Sequence, residues 1–259
     1  MLSTDFVTGS PNWLDLASPD TAATASFYTA VFGWTYQSAG PEAGGYGFFQ
    51  KDGRTVAALG QLTEEGASPA WTVYFRTPDA DATAKAVEQG GGTVRVQPFD
   101  VMEAGRMACL TDPGSADFAV WQPGAFQGLE VASEHDALCW AELHVADSAA
   151  ALAFYGSLFG WRSQEMSMPG MAYTVLSTAD GDLQDSSFGG LAGVQEGMRP
   201  AWIPYFDAAD ADAVTARVQQ AGGIVLMPAA DVPEVGRIAW LADPFGAPFA
   251  IITPAPQAA

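Results

Sequence analysis

The chain has 259 residues, and its 30 acidic side chains outnumber the 10 basic ones, which gives a formal net charge of −20. This charge disfavours nucleic acid and anionic membrane surfaces as partners, because both attract basic proteins. The composition, 49% hydrophobic and 15% charged, is typical of a globular protein, and no stretch approaches the roughly 20 apolar residues that span a bilayer.

The first quarter of the chain predicts a strand, a helix and three more strands. Pro11–Ala17 is typical of a strand, and the following helix begins near Asp20, whose side chain provides an N-cap. Apolar side chains at helical spacing give this helix one buried face, and Gly33 ends it. The three strands predicted next, the last two joined by a hairpin turn, are Trp34–Tyr36, Tyr46–Gln50 and Thr55–Leu62.

The second quarter repeats this order in a shorter form. Trp71–Arg76 predicts a strand, and the helix after it begins near Asp79 and ends before Gly90. The strands that follow are predicted at Thr93–Gln97, Met107–Thr111 and Phe118–Trp121. The order β, α, β, β, β therefore occurs twice in the first half of the chain.

The second half of the chain is a copy of the first. The aromatic series that starts at Trp13 recurs 127 residues later from Trp140, and the series that starts at Pro69 recurs 131 residues later from Pro200. This self-similarity predicts a tandem duplication with four βαβββ modules. We predict a first domain at residues 1–123, a linker at 124–136 and a second domain at 137–259, and we expect each half to fold as its own pair of modules.

Two motifs occur in both halves. A helix ends in Phe32-Gly33-Trp34, and an Asp112-Pro113 turn precedes the last strand of the half; their copies are Phe159-Gly160-Trp161 and Asp243-Pro244. With this organisation the chain resembles the vicinal oxygen chelate superfamily of glyoxalases, bleomycin resistance proteins and extradiol dioxygenases. It is most similar to the tandem four-module actinobacterial type, which includes glyoxalase-like antigens and antibiotic-cluster hydroxylases. The resemblance implies an α+β fold in which each domain's two modules form a curved, mostly antiparallel sheet around a cup, with helices outside.

The resemblance also implies where metal ligands would lie. One ligand is expected on the first strand of a module, and another six residues after the proline of the Asp-Pro turn. The first-strand position is Trp13 in the first half and Trp140 in the second. The position after the Asp-Pro turn is Ala119 in the first half and Ala250 in the second. Neither an indole nor a methyl group coordinates a metal, and the chain has only two histidines. We therefore expect no metal and no other cofactor.

The side chains that would line the cups are mostly aromatic. Strand alternation places Trp13, Tyr74 and Trp121 on this face in the first half, and Trp140 and Tyr205 in the second. An aromatic cavity with few polar groups suits a flat, mostly apolar ligand, so we predict that these five residues bind one. The alternative is that they fill a closed core.

Three polar side chains are candidates for catalysis. Asp15 shares a strand face with Trp13, and Glu142 and His144 share a face with Trp140. A carboxylate in such a cavity can act as a general acid or base or bind a ligand hydroxyl, and a Glu-His pair can pass on a proton. The alternative is a structural role, with the acids held by backbone amides or arginines. The first-half counterpart of His144 is Ala17, so this pair belongs to one site only.

Three functions remain open for such a protein. The first is a metal-independent enzyme or accessory that binds and tailors an aromatic molecule such as an antibiotic or polyketide intermediate. The second is a drug-sequestering binding protein without catalysis, and the third is a metal-dependent glyoxalase or dioxygenase with relocated ligands. We favour a monomer, because a tandem chain supplies its own paired domains, although a dimer remains open. The two cysteines and the lack of a signal-peptide pattern predict a cytoplasmic protein.

Overall fold

A computed structural model of the chain describes residues 2–168, 171–183, 185–195 and 197–256, with the backbone alone described at 167, 168, 171 and 172. The first half contains two helices and eight strands: β1 (Pro11–Ser18), α1 (Thr21–Phe32), β2 (Thr35–Ser38), β3 (Gly47–Lys51), β4 (Arg54–Gln61), β5 (Ala70–Arg76), α2 (Ala80–Gln89), β6 (Thr93–Val101), β7 (Gly105–Thr111) and β8 (Asp117–Pro123). A short 3-10 helix, Pro41–Ala43, lies between β2 and β3.

The second half repeats the same succession of elements. These are β9 (Leu138–Val145), α3 (Ser148–Phe159), β10 (Arg162–Met168), β11 (Met171–Ser177), β12 (Ser187–Gly193), β13 (Ala201–Asp207), α4 (Ala211–Gln220), β14 (Ile224–Val232), β15 (Gly236–Ala242) and β16 (Pro248–Pro254). The four predicted βαβββ modules are thus confirmed.

Each half contributes one eight-stranded mixed sheet. The strand orders are β2-β3-β4-β1-β5-β8-β7-β6 and β10-β11-β12-β9-β13-β16-β15-β14. In every module the first strand lies parallel to the fourth, whereas the second, third and fourth strands form an antiparallel meander. The predicted α+β architecture is confirmed.

The helix boundaries follow from local chemistry that sequence shows well. An aspartate caps each helix and accepts a hydrogen bond from the backbone N–H three residues on; the four caps are Asp20, Asp79, Asp147 and Asp210. Such a cap stabilises a helix by about 1 kcal/mol. Gly33 and Gly160 end their helices in the left-handed conformation, with φ of 74° and 70°. Among the described residues, none of the helices has both the length and the apolar character needed to cross a membrane.

The outermost strand β6 is longer than the sequence predicts. The sequence predicts a strand at Thr93–Gln97, but β6 continues through Pro98 to Val101. Proline is tolerated there because β6 is an edge strand, and the register shifts between Val96 and Phe99. Its copy β14 includes Pro228 in the same way.

The packing of the chain divides it into two compact units, each with a module from both sequence halves. The first unit contains residues up to Trp13, Thr72–Leu129 and Trp140–Ile203, and the second contains Leu14–Trp71, Glu130–Cys139 and the chain from Pro204. The sequence led us to expect that each half packs on itself. Hydrophobic periodicity shows which face of a helix is buried, but it does not show which module covers that face. The domain boundaries at 123 and 137 remain a prediction.

Each unit has a core of packed aromatic rings. The core of the first unit is formed by Phe75, Phe118, Tyr155, Phe159, Trp161, Phe188 and Trp202. The core of the second unit is formed by Tyr28, Phe32, Trp34, Phe49, Trp71, Phe206 and Phe249. Because each cluster buries seven large rings together, both clusters contribute strongly to stability.

Buried polar groups in the cores are paired in a repeated way. In the first unit the Trp202 indole donates to the Tyr155 hydroxyl, which donates to Asp112, each at 3.0 Å. Burial raises the pKa of Asp112 above its usual value. In the second unit the Trp71 indole donates to the Tyr28 hydroxyl at 3.0 Å. The tyrosines of α1 and α3 are thus hydrogen-bonded as well as packed.

The Phe-Gly-Trp motif has a structural reason that the sequence pattern does not show. The indole N–H of Trp161 donates to the carbonyl of Gly9 in the leading segment, residues 2–10 before β1, and that of Trp34 donates to the carbonyl of Asp136 in the linker, each at 2.8 Å. Gly9 and Asp136 are 127 residues apart, and both have a positive φ, of 79° and 59°. The leading segment and the linker therefore each contain a copy of the same turn, which binds the indole N–H, and the duplication begins before β1.

Candidate functional site

Four polar side chains form a continuous hydrogen-bonded chain in the first unit. The Trp140 indole donates to the Tyr173 hydroxyl at 2.9 Å, and this hydroxyl donates to Glu142 Oε2 at 2.7 Å. The other carboxylate oxygen, Glu142 Oε1, lies 2.7 Å from His144 Nε2. We call Trp140, Tyr173, Glu142 and His144 the polar chain.

The sheet places these four side chains together. Trp140, Glu142 and His144 are alternate residues of β9, so they share one face, as the sequence predicts. Tyr173 lies on β11, and β12 separates β11 from β9. The Tyr173 ring therefore reaches across β12, above Gly190, to meet Glu142.

The polar chain is largely shielded from water. Glu142 is 6% exposed and His144 is 4% exposed, whereas Trp140 is half-buried. Burial, together with the nearby Glu142 carboxylate, raises the pKa of Tyr173 well above its usual value. Tyr173 therefore stays protonated and remains a hydrogen-bond donor to Glu142 at any physiological pH.

Three buried tyrosines make the fold sensitive to alkali. Burial raises the pKa of Tyr28, Tyr155 and Tyr173 well above normal. In the unfolded chain each phenol loses its proton near pH 10, so stability is complete below that pH and falls as the pH rises above it. We expect a loss of about 1.4 kcal/mol per tyrosine per pH unit. Denaturant unfolding between pH 8 and 11 measures this slope.

The control for this prediction is Tyr173→Phe, which removes one buried phenol and should therefore reduce the slope of stability against pH. Absorbance at 295 nm should show that the phenols with raised pKa, those of Tyr28, Tyr155 and Tyr173, ionise only as the protein unfolds. Ionisation of these phenols near pH 10 in the folded protein would contradict it.

The first half contains a less complete copy of this arrangement, in the second unit. The Tyr46 hydroxyl lies 3.4 Å from Asp15 Oδ2, and Asp15 is half-buried. Tyr46 and Tyr173 are 127 residues apart, as are Asp15 and Glu142. A carboxylate with a tyrosine above it is thus common to both halves, while the histidine occurs only in the second.

Of the five predicted ligand-binding aromatics, Trp140 is half-buried and the other four are buried. Trp13 is 5% exposed and packs edge-on against Phe126, with ring centroids 4.9 Å apart. Trp121 donates its indole N–H to the carbonyl of Phe126 at 3.0 Å, and the rings are 6.3 Å apart. A phenylalanine of the predicted linker therefore covers both tryptophans. In the remaining pair, Tyr74 and Tyr205 are each 4% exposed, and Tyr205 accepts the indole N–H of Trp240 at 3.0 Å.

The sequence therefore identified part of this arrangement. It placed Trp140, Glu142 and His144 on one face, and the structure brings the last two into hydrogen-bond contact. It missed the site roles of Tyr173 and Phe126. The 127-residue repeat was the available signal for Tyr173, because it pairs with Tyr46, but strand spacing does not show that a ring crosses a neighbouring strand. The ligand-binding and catalytic roles of all these residues remain predictions.

The residues present do not fit the metal centre that the resemblance implies. The four expected ligand positions hold two indoles and two methyl groups, and the donor atoms of Glu142 and His144 face each other. Across the described residues, no group of three or more His, Cys, Asp or Glu side chains is arranged to hold a metal ion. A metal centre of that kind needs several converging N, O or S ligands.

Comparison with protein families gives matches in both halves. The model of the glyoxalase/bleomycin resistance protein/dioxygenase superfamily matches residues 10–120. A bleomycin resistance protein-like N-terminal model matches residues 138–179.

Two similar relatives span almost the whole chain. The anthracycline biosynthesis protein DnrV of Streptomyces peucetius is 39% identical over 264 residues, which cover 96% of this chain and 94% of DnrV. The protein CFP32 of Mycobacterium tuberculosis, named as a glyoxylase, is 38% identical over 256 residues, which cover 96% of both chains.

Solved structures with the same fold are more distant in sequence. The 2,2',3-trihydroxybiphenyl 1,2-dioxygenase of Sphingomonas wittichii RW1 has a TM-score of 0.65 at 15% identity, with 95% of this chain and 91% of that chain covered. The Mn(II)-bound glyoxalase of Novosphingobium aromaticivorans has a TM-score of 0.64 at 14% identity, with 95% and 82% covered. At this identity the likeness shows the fold alone.

Proposed function

The chain belongs to the glyoxalase/bleomycin resistance protein/dioxygenase superfamily, and from this premise we propose that its second half binds a hydroxylated aromatic molecule without a metal. An antibiotic or polyketide intermediate is a ligand of this kind. The observation that carries the proposal is the polar chain, in which a half-buried tryptophan lies beside a buried carboxylate that a tyrosine and a histidine hold in place.

The polar chain has the chemistry that such a ligand needs. Trp140 offers an aromatic surface against which a flat ring system stacks. A carboxylate has about four acceptor sites, so Glu142 can bond Tyr173, His144 and a phenol or enol hydroxyl of the ligand together. His144 stands next to the carboxylate and can take up or supply the proton when the ligand hydroxyl ionises.

The second half is favoured over the first for two reasons. Phe126 covers Trp13 and Trp121 in the first half, so two of its predicted binding surfaces are already used by the chain itself. In addition, Ala17 replaces the histidine there, so that the first carboxylate has no imidazole beside it on its strand. One relative supports the proposed ligand class, since DnrV carries the name of an anthracycline biosynthesis protein and anthracyclines contain a hydroxylated ring system.

Metal independence follows from the donors at the expected ligand positions. Indole and methyl groups at all four positions leave a bound metal without its protein ligands. The polar chain can instead bind an ionising hydroxyl through hydrogen bonds alone. A metal-dependent glyoxalase or dioxygenase reaction is therefore the less favoured function.

Calorimetric titration with a hydroxyanthraquinone tests the proposal. We expect saturable binding of about one molecule per chain, unchanged after treatment with a strong chelator, and much weaker binding of anthraquinone itself. Absence of binding, or binding that depends on an added divalent metal, would overturn it. Recovery of the compound then decides the role: an unchanged compound indicates a binding protein, and a changed one indicates an enzyme.

A further inference from the structure

We infer that Gly190 and Ala192 of β12 are positioning residues that place the Tyr173 hydroxyl on Glu142, and that this pair of small residues contributes to the ligand affinity of the second half. The inference rests on the proposed function. It goes beyond that function by naming the residues that distinguish the two copies of the site.

Gly190 provides the space that the Tyr173 hydroxyl occupies. It lies directly opposite Glu142 in the parallel pairing of β12 with β9. A Cβ atom at Gly190 would lie 1.9 Å from the Tyr173 hydroxyl oxygen and 2.3 Å from the ring carbon that bears it. Any side chain at this position would therefore move the hydroxyl away from Glu142.

The first half has the two small residues in the opposite order. Ala58 lies opposite Asp15 in the pairing of β4 with β1, where the second half has Gly190. Gly60 stands two residues later, where the second half has Ala192. The sequence is thus Ala-Leu-Gly in the first half and Gly-Leu-Ala in the second.

The tyrosine of each half lies over its own glycine. A Cβ at Gly60 would lie 3.2 Å from Cδ2 of Tyr46, so this ring is seated two residues further along the strand than the Tyr173 ring. The Tyr46 hydroxyl is then 3.4 Å from Asp15, whereas the Tyr173 hydroxyl is 2.7 Å from Glu142. An O–H···O bond is normally about 2.7–2.8 Å long, so the bond of the second half is the strong one.

The hydrogen bond from the Tyr173 hydroxyl fixes the orientation of the Glu142 carboxylate. The hydrogen bonds from Tyr173 and His144 hold its two oxygens in one orientation. A ligand hydroxyl then meets an oriented acceptor, and less rotational freedom is lost on binding. We therefore assign to the Gly-Leu-Ala order a contribution to the ligand affinity of the second half, beside those of His144 and of the uncovered Trp140.

Exchanging the two residues tests this assignment. The variant with Gly190→Ala and Ala192→Gly has the order of the first half, so its Tyr173 ring can move to the seat that Tyr46 uses. We expect thermal stability close to wild type but hydroxyanthraquinone affinity about tenfold weaker, since Glu142 loses the donor that orients it and must then be ordered when the ligand binds. Gly190→Ala alone should lose affinity and stability together, because Ala192 then blocks the alternative seat.

Two matched variants complete the test. Tyr173→Phe should match the exchange variant in affinity and remain folded. The corresponding exchange in the first half, Ala58→Gly with Gly60→Ala, should leave affinity unchanged. The inference is overturned if the second-half exchange binds the probe as tightly as wild type.

A measurement without ligand keeps this inference separate from the proposed function. The buried Tyr173 hydroxyl proton should give a slowly exchanging downfield proton resonance that is absent in both Tyr173→Phe and the exchange variant. If wild type binds no hydroxyanthraquinone but shows this pattern, the proposed function fails and the positioning role stands. If the resonance persists in the exchange variant, the positioning role itself is wrong.

Discussion

Residues 1–125 and 137–259, produced as separate polypeptides, should each fail to fold cooperatively and should regain the native structure when they are mixed. The reason is that both compact units combine modules from the two halves. In the second unit, the ring centroids of Phe32 and Phe206 are 5.1 Å apart. In the first unit, the ring centroid of Phe75 is 5.0 Å from that of Trp161 and 4.9 Å from that of Trp202.

The free energy of aromatic burial that a separate half would lose is as large as the whole net stability of a domain. A buried aromatic side chain removes about 150–250 Å² from water, which at about 25 cal/mol per Å² is on the order of 4–6 kcal/mol. Each separated half would expose several such rings, whereas the net stability of a domain is only about 5–15 kcal/mol. Near-UV circular dichroism, tryptophan fluorescence and denaturant unfolding of each half, alone and mixed, measure the outcome.

A cut made after folding is the control for the effect of breaking the chain. A protease site inserted in the linker at 124–136 allows the intact folded protein to be cleaved, and the two pieces should stay associated on gel filtration. Cooperative unfolding of each isolated half, with a midpoint close to that of the whole chain, would show instead that the halves are autonomous, as the sequence led us to expect.

Much of the fold could be predicted because its signals are local. Asp20 and Gly33 mark the ends of the first helix through hydrogen bonding and backbone conformation, which depend only on neighbouring residues. The hairpin turn at Asp52 and Gly53 has the positive φ values that such a turn requires. The repeat then carried each local prediction to its copy in the second half.

The sharing of cores between halves could not be predicted from one sequence. Periodicity shows that Phe32 is buried, but every module offers a similar apolar surface, so nothing local selects the partner. The leading segment was missed for a related reason. Gly9 binds Trp161 through its carbonyl, and a backbone acceptor leaves no side-chain signal apart from the glycine itself.

The candidate site was predicted only along a single strand. Alternation placed Glu142 beside His144, and this is a property of β9 alone. Tyr173 joins them because Gly190 lets its ring cross β12, which depends on the register of three strands. Such registers are set by the whole sheet, so the hydrogen-bonded chain became evident only in the structure.

Glu142→Gln should weaken binding of the hydroxyanthraquinone about ten- to a hundredfold, the largest loss that we expect from one substitution in the site. A hydrogen bond to a charged group contributes about 1.5–3 kcal/mol, and the amide removes the charge while keeping the size of the side chain. Asp15→Asn, the matched change in the first half, should have a much smaller effect, because the ligand is expected in the second. Calorimetric titration of both variants beside wild type measures the difference.

Substitution of Trp140 and of Trp13 provides a second comparison between the two halves. Trp140 is half-buried, so Trp140→Ala should reduce affinity through lost stacking with little effect on stability. Trp13 is 5% exposed and packed against Phe126, so Trp13→Ala should mainly lower the unfolding midpoint, as a large-to-small change in a core does. If Glu142→Gln and Trp140→Ala both keep wild-type affinity in a protein that does bind the probe, the polar chain is a structural element of the first unit and the ligand binds elsewhere.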